Sequence, residues 1–369
     1  MIVILKAVGK VILVLAGLIL LLIAAVMIFL RTWPGVGKTP DAAAEGEYEA
    51  RSPNYRGGQF HNETDAGLRM GERGEASPNV RPSGTIPVVK NETVPPPQAG
   101  KLFVTWYGHS TVLVQIGEKN VLIDPVLSEI CSPVSFAGVR RYSPLALDKE
   151  NVPEIDLCFL SHDHYDHLDR PTVMAIDGRV KRYLVPLGVD AVLTGWGIDR
   201  ERISVLDWWE ETDAAGLTCT LTPGQHFSGR DPFRRNATLW GGLYFTDGQY
   251  SVYYTGDGGY SGVFARVRER LGPPDLMLTE TGQYNVAWKS VHMLPEESVQ
   301  AAMDAGAKQV IPVHWGAFVL SDHAWNDPAE RAVAAAERLG AALSVPMIGQ
   351  RVELTDLPAC TAPWWRDIT

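Results

Sequence analysis

Cysteine is scarce in this 369-residue chain. Its four residues, Cys131, Cys158, Cys219 and Cys360, are widely spaced and form no CxxC pair. Cys158 and Cys219 sit in apolar, strand-like runs and read as buried free thiols, and the four together leave the redox compartment undetermined. Basic clusters are missing too. With a formal charge of -10 and no concentrated Lys/Arg run, the sequence excludes nucleic acid as a partner, because phosphate neutralisation needs such a surface. No internal repeat is evident. What remains is an ordinary folded composition, 46% hydrophobic and 21% charged, whose 35 glycines and 25 prolines imply many turns. One large α/β domain of this length is compatible with those numbers.

Polar residues are absent from one stretch in particular. Val11 to Leu30 carries no charged or strongly polar side chain, and its 20 residues match what a helix needs to cross a bilayer core. Lys6 and Lys10 precede it; Arg31 and Trp33 follow, where an interface is expected. A cleaved signal peptide is the competing reading, disfavoured because the run exceeds the roughly 7–15 residues of a signal core and no clean Ala-x-Ala site follows. Residues 1–33 are therefore expected to be a single-pass membrane anchor. Lys6 and Lys10 on one side balance Arg31 and Lys38 on the other, so the side on which the rest lies is not fixed.

Residues 34–100 are polar and broken by Pro and Gly, ending in Val94-Pro95-Pro96-Pro97, which suggests a tether with short ordered pieces laid against a domain. The compact domain is expected over 101–369. Strand-like runs recur at Leu102 to Trp106, Thr111 to Ile116, Val121 to Ile123, Ile155 to Leu160 and Arg182 to Val185. Others follow at Leu217 to Leu221, Leu239 to Phe245, Tyr250 to Thr255 and Gln309 to Val313. Helix-like segments lie at Gly188 to Leu193, Gly262 to Leu271, Pro295 to Ala305 and Asp327 to Leu339. Strands first and helices interspersed later imply a layered α/β sandwich.

The chemistry concentrates in Ser161-His162-Asp163-His164-Tyr165-Asp166-His167-Leu168-Asp169, directly after the apolar run Ile155 to Leu160. Imidazoles and carboxylates at this density suit Zn, with Mn and Fe also compatible. One His-x-His is weak evidence; the full His-x-His-x-Asp-His string behind a strand is specific. Three isolated residues end other apolar runs: His226, Asp257 and His314. Loops at strand carboxyl ends converge on one edge, so these are candidates to complete a two-metal site.

In that order the motifs resemble the metallo-β-lactamase superfamily and, more narrowly, N-acylphosphatidylethanolamine-hydrolysing phospholipase D and its bacterial relatives. The matching stretches are Thr105 to Thr111, Asp124-Pro125, Leu160 to Asp169, Asp207 to Glu210, Gln225-His226, Gly256 to Tyr260 and His314 to Gly316. The resemblance implies an αββα sandwich and a hydrolase holding two zinc ions. It places His162, His164 and His226 on one ion and Asp166, His167 and His314 on the other, with Asp257 bridging both. Two cations roughly 3.5–4 Å apart can share a water and lower its pKa, giving a bridging hydroxide that attacks phosphorus or a carbonyl carbon. Asp166, Asp257 and His292 are the candidates for the chemistry itself.

Supporting or substrate roles fall to His109 and Asp124 beside the metal loops, to Arg140 or Arg141 as phosphate contacts, and to Glu280 and Tyr284. His61 and His323 are expected to do nothing chemical. Two departures from the phospholipase pattern stand out. Glu280-Thr281-Gly282-Gln283-Tyr284 replaces Pro-Ile-Gly-Ala-Tyr, and Gly258 replaces the usual Thr or Ser. An added carboxylate repels an anionic phosphate unless it is paired or protonated. The expected activity is phosphodiester hydrolysis of N-acylphosphatidylethanolamine-like membrane lipids. A lactonase or other carboxyl-ester or amide hydrolase, acting on a small ester, is the alternative with the same site. A non-catalytic membrane protein using the fold for binding is the alternative of another class. An oligomer is compatible with all three.

Overall fold

The computed structural model describes residues 2–64, 75–231 and 233–368. Two sheets stack face to face. The first has seven strands in the order Ile203–Leu206, Tyr183–Pro186, Leu157–Phe159, Lys119–Ile123, Val112–Ile116, Leu102–Trp106 and Arg351–Glu353. The second has six, in the order Glu211–Ala214, Leu217–Thr222, Gly242–Thr246, Ser251–Tyr254, Leu276–Glu280 and Gln309–Val313. Both are mixed, antiparallel through their hairpins and parallel where a helix carries the chain across.

Alternation of side chains explains the layering. Leu243, Phe245, Val252, Tyr254, Leu276, Leu278, Ile311 and Val313 point into the core shared by the two sheets. Their neighbours Tyr244, Tyr253, Met277 and Val310 point outward, against Val263, Phe264 and Val267 of helix Val263–Leu271 and Ala301, Ala302 and Ala305 of helix Pro295–Ala305. A strand buried on both faces must be apolar at every position, which is why these runs read as continuous rather than alternating. On the other side Val189, Val192 and Leu193 of helix Val189–Gly195 join the main core against the first sheet. The result is the expected αββα sandwich.

Elements without a clear local sequence pattern have identifiable physical causes. Glu211–Ala214 is an edge strand whose exposed side chains make it look like a loop. Leu276–Glu280 is a short buried strand ending on a carboxylate, and Arg170–Ile176 is a two-turn helix started by Asp169, whose side chain accepts from Thr172 N. Asp169 is thus a helix cap rather than a metal ligand.

The segment 34–100, apart from residues 65–74, which lie outside the described residues, is built into the domain. It forms helix Ala42–Arg51 and the hairpin Tyr55–Arg56/Gln59–Phe60, and it buries Tyr48, Tyr55, Phe60 and Ile86 in the main core. Before it runs a helix from Ile2 to Thr32, of which Ala7–Thr32 is long and apolar enough to cross a membrane and is not buried.

Candidate metal centre

Five strands end at one place. Leu157–Phe159 leads to His162, Leu217–Thr222 to His226, Ser251–Tyr254 to Asp257, Leu276–Glu280 ends on Glu280, and Gln309–Val313 leads to His314. All seven residues expected as ligands meet there. Gly256 makes the turn before Asp257 at φ +62°, where a Cβ would lie 2.6 Å from Gly241 O, so only glycine fits.

The first group is His162, His164 and His226. His162 Nε2 lies 2.9 Å from His164 Nδ1, which lies 3.3 Å from His226 Nε2. Two of the outer nitrogens are occupied: His226 Nδ1 donates to Val291 O at 2.9 Å, and His162 Nδ1 meets Ser161 Oγ at 3.0 Å. Burial, reinforced for His162 by the neighbouring rings, lowers the pKa of all three imidazoles. Three neutral rings therefore aim lone pairs at a common point.

The second group is Asp166, His167 and His314, with His109 beside them. His167 Nδ1 donates to Asp124 Oδ2 at 2.8 Å, and His314 Nδ1 faces Gly282 O at 3.2 Å. Their Nε2 atoms are buried without hydrogen-bond partners, as is Asp257 Oδ1. Asp257 Oδ2 stands between the groups, 3.1 and 3.2 Å from the Nε2 atoms of His167 and His314 and 3.9 and 4.0 Å from those of His226 and His162. Those close approaches lack the alignment of hydrogen bonds. Burial pushes Asp257 up, but the surrounding imidazoles, His167 and His314 foremost, hold its carboxyl well below the usual range. Burial pulls His314 down, but Asp257, Asp166 and Glu280 raise it to about 10.

A buried polar atom left unpaired costs about 1–3 kcal/mol, so several at one point form a strained arrangement unless a cation satisfies them. Nitrogen and oxygen donors with outer atoms already tied down fit zinc or a similar divalent ion.

The supporting residues are held as tightly. Asp124 accepts from Ser161 N at 2.7 Å, Ser161 Oγ at 2.6 Å, His167 Nδ1 at 2.8 Å and Tyr254 OH at 2.6 Å. His109 Nε2 lies 3.0 Å from Asp166 Oδ2, and its backbone exchanges two hydrogen bonds with the 314–315 turn. His109, Asp124 and His314 all have positive φ, a cost for non-glycine residues that this bonding sustains. Glu280, 1% exposed, accepts from Gly258 N at 2.6 Å and from His292 Nδ1. The added carboxylate is therefore paired, and the glycine that replaces Thr or Ser supplies one of its donors.

The family described as "Beta-lactamase superfamily domain" matches residues 119–315, more than half the chain. The chain belongs to the beta-lactamase superfamily. An uncharacterized protein of Mycobacterium tuberculosis is 41% identical over 340 residues, spanning 88% of this chain and 91% of its own. N-acyl-phosphatidylethanolamine-hydrolyzing phospholipase D 1 of Caenorhabditis elegans is 36% identical over 232 residues, 59% of this chain and 65% of its own length. A metallo hydrolase from Ignicoccus hospitalis shares the fold at TM-score 0.52 and 21% identity, covering 69% of this chain and 98% of its own. This superfamily member is a metal-dependent hydrolase with the metallo-β-lactamase fold.

Above the metal centre of this hydrolase opens a cavity of about 380 Å³. His164, Asp166, Asp257, His292 and His314 form its floor, and Phe227, Trp288, Val291 and Leu320 form apolar walls. Arg235, exposed and 4.7 Å from the Phe227 ring centroid, supplies a cation.

Three sequence expectations are corrected here. Arg140 is solvent-exposed, pairs with Glu129 at 3.0 Å and does not line the cavity. Arg141 is buried, with its guanidinium donating to Val126 O at 2.5 Å and lying 4.6 Å from the Phe318 ring, so it is structural. Tyr284 turns away: its hydroxyl bonds Asp327 and its ring stacks on His323 at 4.4 Å. His323 does accept a hydrogen bond from Gln283 N, a structural role.

Two contributors were not found from sequence. Arg235 sits in a polar loop with no local signal. Asn62, in the segment read as a tether, brackets the backbone of His226, accepting from its N–H at 3.0 Å and donating to its carbonyl at 2.9 Å. An Asn far from any motif leaves no trace in a single sequence.

Proposed function

We propose that this hydrolase is a membrane-anchored dinuclear zinc phosphodiesterase acting on N-acylphosphatidylethanolamine-like lipids. The observation that carries the reading is the pairing of the two ligand groups about Asp257 with a cavity that has apolar walls and one cation, Arg235, among them. His162, His164 and His226 would hold one ion; Asp166, His167 and His314 the other; Asp257 would serve both. Two such ions supply Lewis acidity that generates a nucleophile from water near neutral pH and offsets charge on phosphoryl oxygens.

The chain's own residues do the rest. Val291 O fixes the tautomer of His226, so that its inner nitrogen stays unprotonated toward the centre, and Asp124 holds the Nδ1 proton of His167, so that Nε2 is the nitrogen left to face an ion. Arg235 offers a phosphate the planar donor pair that suits its oxygens. Phe227, Trp288, Val291 and Leu320 take apolar chain and keep water from the reacting bond. His292, its Nδ1 bonded to Glu280, is oriented from below the cavity and faces substrate. Glu280 is held by Gly258 and His292, so its carboxylate is tied beneath the cavity instead of being free to approach a phosphate. The unburied apolar helix Ala7–Thr32 supports an anchor that keeps this cavity at its lipid.

The test is to give the metal-loaded full chain N-acylphosphatidylethanolamine beside a panel of lactones, with metal content measured on the same preparation. Phosphatidic acid and N-acylethanolamine are the expected products, with two metals per chain. Turnover of lactones alone moves the assignment to carboxyl-ester hydrolysis. No turnover of either, with Asp257→Asn indistinguishable from the parent, leaves a binding protein.

A further inference from the structure

The helix does not hang loosely from the domain. Trp33 Nε1 donates to Pro133 O at 2.8 Å, and Trp196 Nε1 donates to Pro34 O at 2.7 Å. Arg230, buried, ties the exit to the metal loop itself: Nη2 and Nε donate to Gly35 O at 2.7 Å and Val36 O at 2.9 Å, while Nη1 donates to both Asp163 O and Leu168 O at 2.8 Å. A guanidinium donating four hydrogen bonds to fixed carbonyls sets the helix base relative to the catalytic loop.

Around that base lie the two most exposed aromatic rings among the described residues. Phe136 is 83% exposed, three residues beyond the Pro133 that receives Trp33, and Phe233 is 66% exposed. Phe233 lines a cavity of about 330 Å³ with Met27, Leu30 and Arg31 of the helix, and Lys38 and Arg234 add cations to its rim against one acid, Asp231. At about 1.5 Å rise per residue, Val11 to Leu30 fills a hydrocarbon core of about 30 Å, so Met27 and Leu30 mark the boundary between acyl chains and headgroups. Phe233 lies at that level. Exposed rings beside the end of a span, ringed by Arg and Lys, are complementary to a bilayer interface carrying anionic headgroups.

We infer that the face formed by Phe136, Phe233, Arg31, Lys38 and Arg234 seats on an anionic bilayer, with the two rings at the acyl boundary and the cations among headgroup phosphates. The inference rests on reading the helix as a membrane anchor. It has a consequence for substrate entry. Phe233 and Arg234 face the helix, whereas Arg235, next in sequence, lines the catalytic cavity. The loop that meets the bilayer is the one that edges the cavity, so a lipid passes from membrane to metal centre without crossing bulk water.

The experiment uses the full chain in vesicles, with Cys360→Ser removing the one thiol that is not buried. Single spin labels are placed through Leu20→Cys, Phe136→Cys, Phe233→Cys and, as a control on the outer helix, Glu269→Cys. Collision with oxygen against a water-soluble nickel complex reads the phase. Labels at 20, 136 and 233 are expected in lipid and the label at 269 in water. Aqueous labels at 136 and 233 with 20 in lipid overturn the seating and leave the anchor standing. An aqueous label at 20 overturns the anchor, and the seating with it. In phosphatidylcholine with about one-third phosphatidylglycerol, the lipid signal at 233 is expected to rise about twofold over pure phosphatidylcholine and to lose that gain in Lys38→Gln/Arg234→Gln. Equal signals in both compositions overturn the role given to the cations.

Discussion

The two halves of the metal centre are built on different electrostatics. His162, His164 and His226 converge as neutral rings, kept so by burial and, for His162 and His226, by neighbouring imidazoles, and their outer nitrogens face a hydroxyl and a carbonyl. His167 and His314 stand instead among Asp124, Asp166, Asp257 and Glu280, which hold their protons on despite burial. One half is ready for a cation at neutral pH; the other must give up protons to receive one. Among the described residues, Asp257 is the only group whose single oxygen, Oδ2, approaches rings from both halves. Seven ligands in one cavity need not form one titrating unit.

The largest effect should come from Asp257→Asn, which removes the charge both halves share. Metal analysis is expected to show a loss at both positions greater than the roughly 10–100-fold weakening that follows from removing an outer partner. Retention of one full equivalent would break the view that Asp257 serves both halves.

pH separates the halves next. With His314 raised to about 10 and His167 raised as well, binding in their half displaces a proton from each, so affinity there is expected to fall at least about tenfold per unit as pH drops below about 10. The imidazole half, already neutral, should bind with little pH dependence near neutrality. Calorimetry in buffers of different ionisation enthalpy counts the protons. In the metal-free chain the signs oppose each other. His314 contributes stability present below its ordinary value of 6.5 and lost as pH rises through about 10. The lowered rings instead cost stability as pH falls below 6.5, because the unfolded chain then binds protons that the folded chain does not.

Outer partners sharpen the contrast. Asp124→Asn is expected to weaken metal about 10–100-fold in the His167 half, sparing the other. Asn62→Ala should act on the His226 half alone, with about 2 kcal/mol of stability lost through two backbone hydrogen bonds, read as a lower Tm. The smallest effect belongs to Arg235→Gln. Its exposed guanidinium should raise KM about three- to tenfold for a phosphodiester, with metal content unchanged. A fall in metal content there would make Arg235 a structural residue instead.

Much of this centre was legible before any fold was known. His162, His164, Asp166 and His167 announce themselves by density behind a strand, and His226, Asp257 and His314 by their places at the ends of apolar runs. Strand runs such as Leu102–Trp106 and Gln309–Val313 and helices such as Pro295–Ala305 follow from local pattern alone. Arg140, Arg141 and Tyr284 were misplaced because a side chain's direction is settled by its neighbours: Glu129, Val126 O and Asp327 claimed them. Asn62 and Arg235 escaped because each acts across a long gap in sequence, where no periodicity or spacing marks a partner.

The residue types and their order along the chain determined the donor set, the class of fold and the apolar N-terminal span, since each depends on local chemistry and short-range pattern. Which nitrogen of each imidazole faces inward, how Glu280 is tied down by Gly258 and His292, and how Arg230 joins the helix exit to the metal loop were decided only in three dimensions. Those outcomes depend on hydrogen bonds between residues up to 195 positions apart, and such bonds exist only once the sheets have packed.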